Sequence, residues 1–450
     1  MRRTGDTICQ QATPAGEGGI AVIRMSGPEA GWILSEVFVP AHGRIPPRML
    51  TYGHVTEAGE ALDEAMAVLL PGPASYTRED VAEIHCHGSQ TVVLRILRLL
   101  CARGARLAEP GEFTYRAFVG GRVDLAQAEA VMRMVRADSD RAMKSALRQM
   151  EGGVSSFVHE ARGELLEMLS AQAASLDFPD EVDEQETAEQ LKPRCRALAE
   201  KLRAAIDPRA GRVDDEGLRV ALCGQPNAGK SSLLNALLGE DRAIVTAVPG
   251  TTRDTLRERT QIAGCAVVLT DTAGLRETAD EVERIGVERA HRAVQEADVR
   301  LLVVDGARPL EDTDAELAAS VQPNLAVISK GDLPAAFTAD DLQRMIPGVP
   351  VCTVCAMTGE GMDELRRAIV AFAPDAGQEG AVFSQARHAE AAERAAKALD
   401  EACRALDDGF GTDMAAIDLS AALDALGEIT GETMSEQVID QVFARFCVGK

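Results

Sequence analysis

The spacing of apolar residues changes along the chain and divides it into blocks. In residues 1–120, short β-like apolar runs at residues 19–27 and 80–88 alternate with helical stretches such as residues 91–104. This alternation predicts a compact α+β domain. From about residue 123, apolar positions recur at i, i+3 and i+4 with few Gly or Pro residues, which predicts a series of amphipathic helices.

The pattern changes again near Gly217. Five β-branched runs follow, each leading into a helical stretch: residues 218–224, 266–274, 299–306, 325–332 and 349–356. Repeated β-α units predict a parallel, doubly wound sheet. The helical pattern resumes after about Pro374, so we predict an α/β domain inserted into a helical domain. The predicted segments are an α+β domain (1–120), a first helical part (121–216), the α/β domain (217–374) and a second helical part (375–450).

Composition narrows this picture. Of the 450 residues, 46% are hydrophobic but only 3% aromatic, a bias toward Ala and Leu that favours helix packing. The ten cysteines are scattered, and no apolar run approaches the roughly 20 residues of a membrane span, so we expect a cytoplasmic protein with reduced thiols. The net charge of −24 argues against a protein that grips nucleic acid over its whole surface.

The sequence GQPNAGKS, Gly224 to Ser231, follows a predicted strand and opens a predicted helix. This is the pattern of a P-loop, in which successive backbone N–H groups and the helix N-terminus face phosphates. In that arrangement Lys230 neutralises the β and γ phosphates, and the Ser231 hydroxyl ligates Mg²⁺. A structural Gly-rich turn is the alternative interpretation of the same residues.

Three further segments occur in the order that a GTPase requires. Residues 251–254 (TTRD) match a switch I segment, and residues 271–274 (DTAG) end a strand where Asp271 can hold a Mg²⁺-bound water. Asp332, in SKGD, can accept two hydrogen bonds from the N1 and N2 edge of guanine, which adenine does not offer. The predicted nucleotide is therefore GTP.

The chain departs from the usual GTPase pattern at several positions. Most GTPases have Asn at the Ser329 position, and a Ser-Ala-Lys where this chain has Cys355, Ala356 and Met357. These changes bear on guanine affinity but leave Asp332 in place. Leu275 also stands where many GTPases carry the Gln that orients the attacking water, so another polar group has to do so or the enzyme is slow.

Several segments besides the GTPase motifs carry a family signature: residues 6–30, 75–88, 112–131 and 426–432 and the terminal FCVGK. With these segments in this order, the sequence resembles the MnmE (TrmE) family of tRNA modification GTPases along essentially its full length. The resemblance implies a multidomain α+β protein with an N-terminal folate-binding domain, a helical domain and an inserted Ras-like P-loop GTPase domain.

The resemblance also implies function and partners. We expect a homodimer in which the N-terminal domain mediates dimerisation and binds a tetrahydrofolate derivative, as the 5,10-methylene or 5-formyl form. With an FAD-dependent partner of the MnmG (GidA) type, such proteins add a carboxymethylaminomethyl-type group to C5 of the wobble uridine of certain tRNAs. The GTPase would be stimulated by K⁺ and activated by dimerisation, with no membrane involvement.

Residue by residue, the resemblance assigns folate contacts to Arg24, Glu83 and Arg122, with Lys450 nearby. Without it, Arg24 and Arg122 would read as ordinary surface charges. It assigns K⁺ to Asn227, Thr246, Val248 and Thr251, where the ion would stabilise transition-state charge, and switch I Mg²⁺ ligation to Thr252. The expected GTP contacts are Asn227, Ala228, Gly229, Lys230, Ser231, Ser232, Thr246, Gly250, Thr251, Thr252, Asp271, Thr272, Ala273, Gly274, Lys330 and Asp332.

The catalytic candidates are Lys230, Glu283 and Cys447. The resemblance makes Glu283 a water-positioning acid, whereas on residue type alone it reads as part of a solvated switch helix. Cys447 is either a packed thiol at a helix end or a proton donor or nucleophile at the folate site, and the terminal Lys argues against a prenylation signal.

Two other functions remain as alternatives. The first is a regulatory GTPase of the ribosome-assembly type, which would lack a folate site. The second is a folate-binding module whose GTPase domain is only structural.

Overall fold

The structure is a computed structural model that describes residues 5–239, 257–272, 291–374, 382–408, 411–447 and 449. It divides into two compact units. The first unit comprises Met1–Met132, Arg148–Arg203 and Glu390–Lys450, and the second comprises Arg133–Leu147 and Ala204–Ala389. Among the described residues, no helix is both long enough and apolar enough to cross a lipid bilayer.

The first unit contains a seven-stranded sheet and two helices that cover one of its faces. The strands are β1 Ile8–Gln11, β2 Gly18–Ser26, β3 Phe38–Pro40, β4 Thr51–Glu57, β5 Glu60–Leu70, β6 Val81–Gly88 and β7 Arg106–Leu107, in the spatial order β3-β4-β5-β6-β2-β1-β7. All neighbouring strands are antiparallel except β1 and β7. Helices α1 (Ala30–Val37) and α2 (Gln90–Ala102) bury their apolar residues against the sheet.

The register of this sheet determines which residues share its other face. Gln10, Arg24 and Glu83 are direct partners on β1, β2 and β6. Cross-strand partners point to the same face of a sheet. The neighbouring residues Cys9 and Met25 belong to the core beneath the helices, so Gln10, Arg24 and Glu83 lie on the opposite face.

The helices that follow have the apolar periodicity predicted from the sequence. They are α3 Glu112–Val119, α4 Leu125–Arg136, α5 Asp140–Met150, α6 Gly153–Asp177 and α7 Glu184–Ala204. In the same unit, α4 packs near the carboxyl end of the chain, where Phe443 contacts the rings of Tyr115 and Phe118 at 5.4 and 5.9 Å between centroids. This contact joins the last helix to α3.

The second unit is a doubly wound α/β fold. Its elements are α8 Pro208–Glu216, β8 Leu218–Cys223, α9 Lys230–Leu238, β9 Arg257–Ile262, β10 Cys265–Asp271, β11 Val299–Asp305, α10 Asp312–Val321, β12 Leu325–Ser329, α11 Ala339–Met345, β13 Val351–Thr353 and α12 Met362–Val370. The sheet order is β13-β12-β11-β8-β10-β9, and only β9 is antiparallel to its neighbour. The predicted parallel sheet is therefore confirmed, with one antiparallel edge strand.

Three helices complete the chain: α13 Ala386–Asp407, α14 Thr412–Thr430 and α15 Glu436–Ala444. The predicted fold class, with a Ras-like α/β domain between two helical parts, is confirmed. The division into four domains remains a prediction, because the two compact units group residues by packing alone and place residues 133–147 with the α/β fold.

Candidate functional site

The P-loop lies where the sequence predicts it, between β8 and α9. Asn227 and Gly229 have positive φ angles of 62° and 90°, and Gly229 is the N-cap of α9. The backbone therefore curls before the helix begins, which directs N–H groups toward the same side as the helix N-terminus. This geometry suits a polyanionic ligand.

Lys230 is the first residue of α9 and is buried. Its Nζ donates hydrogen bonds to the carbonyl oxygens of Gly224 and Gln225 at 2.9 and 3.0 Å. Burial lowers the pKa of this amine because the charged form loses water, an effect that the nearby Asp271 carboxylate opposes. The ammonium group is thus held over the loop, in a position to neutralise phosphates that enter it.

Two groups near Lys230 suit a hydrated Mg²⁺ ion. Asp271 ends β10, and its Oδ2 lies 3.4 Å from the Ser231 hydroxyl. Its Oδ1 is buried, with no hydrogen-bond partner among the described residues. Oxygen ligands of this kind are the ones that Mg²⁺ prefers, together with retained waters. The Ser231 hydroxyl and the Asp271 carboxylate, which would bind directly or through a water, therefore fit a Mg²⁺ site.

Asp271 is fixed by the residue that follows it. The Thr272 hydroxyl donates to the Leu222 carbonyl oxygen at 2.7 Å, and the Thr272 backbone N–H donates to the same oxygen at 3.2 Å. Both bonds tie the end of β10 to β8, the strand that leads into the P-loop. The carboxylate is therefore anchored to the same strand as the phosphate-binding loop.

A cavity of about 220 Å³ lies at the end of β12, where the sequence predicts the guanine contacts, and its lining includes Gly229, Lys330, Asp332 and Cys355. Lys330 has a positive φ of 58°, and its Nζ lies 2.6 Å from a carboxylate oxygen of Asp305. Asp305 ends β11 and also accepts a bond from the Ala307 backbone N–H. The sequence did not single out Asp305, although carboxyl ends of parallel strands meet at this edge.

Ser329 bridges the two loops of the nucleotide site. Its hydroxyl lies 2.7 Å from the Ala228 carbonyl oxygen of the P-loop and 3.1 Å from the Val304 carbonyl oxygen on β11. The short side chain, which stands where most GTPases have Asn, therefore joins the end of β12 to the P-loop. Although Ser329 differs from the usual Asn, its side chain still connects these loops.

A second constellation lies on the face of the N-terminal sheet opposite α1 and α2. Arg24 Nε donates to Glu83 Oε1 at 2.8 Å, and the Arg24 guanidinium lies 5.4 Å from the Tyr76 ring centroid and 5.9 Å from that of Phe113. Arg122 lies over the same Tyr76 ring at 4.7 Å and donates to the Tyr76 carbonyl oxygen. Arg24, Glu83 and Arg122 are thus gathered around Tyr76, a residue that sequence reasoning did not identify.

A buried ion network supports this face. Arg116, only 2% exposed, pairs with Asp6 at 2.6 Å, with Glu79 at 3.0 Å and with the equally buried Glu112 at 3.2 Å. Arg106 bonds both Asp6 and Glu112. Burial by itself would raise the carboxyl pKa values, but hydrogen bonds from the arginines outweigh it and lower the pKa of Asp6 and of Glu112.

The carboxyl-terminal tail runs beside β1. Gly111 donates its N–H to the Cys447 carbonyl oxygen at 3.3 Å, and Gly449 has a φ of 93° in close contact with the backbone of Gln11. The Cys447 side chain is exposed. Gly449 therefore lies against the end of the strand that pairs with the Arg24 strand. Lys450 lies outside the described residues.

Several other predicted site residues also lie outside the described part of the chain, so their predicted roles stay predictions. They are Thr246, Val248, Gly250, Thr251, Thr252, Ala273, Gly274 and Glu283.

Comparison with known proteins identifies the family. The family model of the MnmE helical domain matches residues 125–447, and that of the GTP-binding protein TrmE N-terminus matches residues 7–122. Curated relatives include tRNA modification GTPases MnmE from Symbiobacterium thermophilum (46% identical), Moorella thermoacetica (44%) and Geobacillus thermodenitrificans (42%), each match covering 99% of both chains. A chain that carries a P-loop GTPase fold and matches these proteins from end to end belongs to the MnmE family of tRNA modification GTPases.

Proposed function

We propose that this protein couples GTP hydrolysis to a folate-dependent modification of tRNA. Acting as a homodimer with an FAD-dependent partner of the MnmG type, it adds a carboxymethylaminomethyl-type group to C5 of the wobble uridine. The observation that carries this proposal is the Arg24–Glu83 pair on the N-terminal sheet, flanked by two aromatic rings, in a chain that also holds a P-loop.

In the GTPase unit, the protein's own residues bind and orient the nucleotide. Lys230 and the P-loop N–H groups hold the phosphates, while Ser231 and Asp271 would hold Mg²⁺, which when bound neutralises charge between the β and γ phosphates. Asn227, at the exposed tip of the loop, offers an amide oxygen suited to K⁺. With Leu275 in place of the usual Gln, we assign the orientation of the attacking water to Glu283.

In the N-terminal unit, the side chains fit the chemistry of a reduced folate. A pterin ring presents N–H donors and a flat face, and the glutamate tail presents carboxylates. Glu83 can accept from ring N–H groups, Tyr76 and Phe113 offer aromatic faces, and the Arg24 and Arg122 guanidinium groups suit carboxylates. Cys447 lies on a tail that runs past β1 of this unit, which supports a role near the one-carbon unit.

Exposed apolar residues support the proposed homodimer. Tyr52 and Met66 are direct partners on β4 and β5, and Val39 pairs with His54 on the same face. Val39 is 54% exposed, Tyr52 48% and Met66 37%. Apolar residues grouped on one face of a sheet are typical of a surface that another chain covers. A second copy of the N-terminal sheet would bury them.

The net charge of this chain supports the proposal that the partner provides much of the contact with tRNA. Because the chain carries a net charge of −24, neutralisation of tRNA phosphates has to come from the partner or from a local basic patch. We therefore expect the isolated protein to bind tRNA weakly, and binding that survives high salt would count against this part of the proposal.

The decisive experiment measures wobble nucleosides by mass spectrometry in cells with and without the gene. We expect C5-modified uridine to disappear without the gene, to return with the wild-type protein and to stay absent with Arg24→Ala. The matched control is Arg95→Ala, which removes an arginine from an exposed ion pair with Glu57 in the same unit. Unchanged C5-modified uridine in the deletion strain would refute the proposal.

Two measurements on purified protein separate the alternatives. A ribosome-assembly GTPase would not bind a reduced folate, whereas we expect binding of 5-formyltetrahydrofolate that Arg24→Ala weakens by about tenfold or more, as expected for the loss of a charged hydrogen bond. A folate module with a structural GTPase domain would show no K⁺-dependent turnover. We expect such turnover in the wild type and its loss in Asn227→Ala.

A further inference from the structure

We propose that Cys355 is a positioning residue for guanine, and that its thiol holds the Asp332 carboxylate in the orientation that reads the base. This inference rests on the assignment of guanine to the cavity beside Asp332. It concerns a position at which this chain differs from the Ser-Ala-Lys pattern of most GTPases.

The contact between the two side chains is short and has a defined direction. Cys355 Sγ lies 3.1 Å from Asp332 Oδ1. An ionised carboxylate only accepts hydrogen bonds, so the S–H group is the donor. A bond to a charged acceptor is stronger than one between neutral groups, which compensates in part for the weakness of a thiol as a donor.

The loop around Cys355 fixes the thiol. The residue is 1% exposed, and its backbone N–H donates to the Glu360 carbonyl oxygen at 2.9 Å. Thr358 donates its N–H to the sulfur at 3.4 Å, and Gly359 donates to the Cys355 carbonyl oxygen. These bonds fold residues 355–360 into a tight turn with the sulfur inside. The donor therefore reaches Asp332 from a rigid position.

Asp332 is much less enclosed than Cys355. It is exposed in the loop that follows β12, and Cys355 is the side chain that bonds its carboxylate in the described part of the chain. Accepting both N1–H and N2–H of guanine requires the carboxylate plane to be held in one orientation. A carboxylate already fixed by one oxygen loses less conformational freedom when the base binds.

The test compares the affinities of two nucleotides, GDP and IDP, by isothermal titration calorimetry. Inosine lacks the 2-amino group, so the ratio of the two dissociation constants reports how well Asp332 uses its second acceptor. We expect the wild type to prefer GDP, and Cys355→Ala to reduce that preference by about five- to tenfold. The magnitude follows from partial loss of a charged hydrogen bond.

Three further variants make the result specific. Cys355→Ser keeps a donor and should retain the GDP preference within about twofold, since a hydroxyl bonds a carboxylate at least as well as a thiol. Cys355→Val removes the donor but fills the space, which preserves the test if the Ala variant is unstable. The control is Cys352→Ala, another buried thiol in the same region, which should leave the preference unchanged.

The outcomes separate this inference from the assignment on which it rests. A wild-type protein without preference for GDP over IDP would overturn the guanine assignment and the inference with it. If the wild type prefers GDP but Cys355→Ala and Cys355→Val keep the full preference, or weaken GDP and IDP equally, Cys355 only packs and the inference alone is wrong.

Discussion

The nucleotide site and the N-terminal site are built in different ways. The first is mostly one continuous loop of backbone N–H groups, from Gly224 to Ser231, closed by contacts to backbone carbonyl oxygens. The second is made mostly of side chains, and Arg24 and Glu83 are 59 residues apart in the chain. Its strands are supported by the buried ions around Arg116.

This difference predicts which of the two sites tolerates substitution. A loop whose work is done by the backbone keeps its shape when a neighbouring side chain is exchanged for another that bonds the same carbonyl oxygens, as Ser329 does in place of Asn. A site made of paired charges fails when one partner is removed, because the other remains buried without compensation. The nucleotide site should therefore tolerate side-chain exchanges that keep the hydrogen bonds, whereas the N-terminal site should fail when one charged partner is removed.

The largest effect is expected from Arg116→Met. Because Glu112 is as buried as Arg116, removal of the arginine should destabilise the first unit by about 3–5 kcal/mol. The only tryptophan, Trp32, lies on α1 of this unit, so its fluorescence in a urea titration measures the unfolding. The control, Arg95→Met, breaks an exposed pair and should cost below about 1 kcal/mol. GDP affinity should not change. A large loss of GDP affinity in Arg116→Met would contradict the independence of the two sites.

The next effect is on turnover. Lys230→Ala removes the ammonium group that the P-loop carbonyls hold, and we expect GTP hydrolysis to fall by about 10²–10³-fold, as when a preorganised electrostatic group is deleted. The control is Lys201→Ala, a lysine on α7 that pairs with Glu160. Phosphate release measures the rate. Binding of 5-formyltetrahydrofolate should stay unchanged. A loss of folate binding in Lys230→Ala would mean that the two sites are not independent.

Ser329→Ala tests the bridge in the nucleotide site. The change removes one donor shared by two carbonyl oxygens, and we expect a loss of about 1–2 kcal/mol in the stability of the second unit. Hydrogen exchange of peptides from residues 218–238 measures it. Ser420→Ala, which removes an exposed serine bonded within α14, should have almost no effect. Equal effects of the two variants would mean that the bridge adds nothing.

The smallest effect is expected from acid, below about pH 4.5. The pKa values of Asp6 and Glu112 are lower in the folded protein than in the unfolded chain, so the stability they contribute is complete above the unfolded values and is lost as pH falls through the folded values. We expect the Trp32 unfolding midpoint to stay constant down to about pH 5 and to fall modestly between about pH 4.5 and pH 3. The dependence should shrink in Arg116→Met, and an undiminished dependence would assign it to other groups.

The two sites also differ in how much of each could be predicted from the sequence, because one is a contiguous loop and the other combines distant segments. The P-loop residues are contiguous, and their Gly and Lys spacing is readable because backbone wrapping around a phosphate demands it. Periodicity also predicted the helical blocks and the parallel sheet, but not the antiparallel edge strand β9, which rests on pairing with β10.

The N-terminal site was readable only through family resemblance. The residues alone describe Arg24 as a surface charge, and nothing in the sequence shows that Tyr76 and Phe113 flank it. Glu112 reads as an ordinary acid in the first turn of a helix, yet it is 1% exposed. Strand register and side-chain pairing between distant segments determine these contacts, and neither is visible as a local pattern.

The close contact of Gly449 with Gln11 has a practical consequence for handling the protein. A purification tag fused directly after Lys450 would begin two positions beyond a glycine that lies against the Gln11 backbone at the end of β1. Bulk close to Gly449 would crowd this backbone, because even a Cβ on the glycine would clash with the Gln11 carbonyl oxygen. An internal tag in the exposed Pro347–Gly348 turn, where a Cβ at Gly348 would meet open space, avoids that contact.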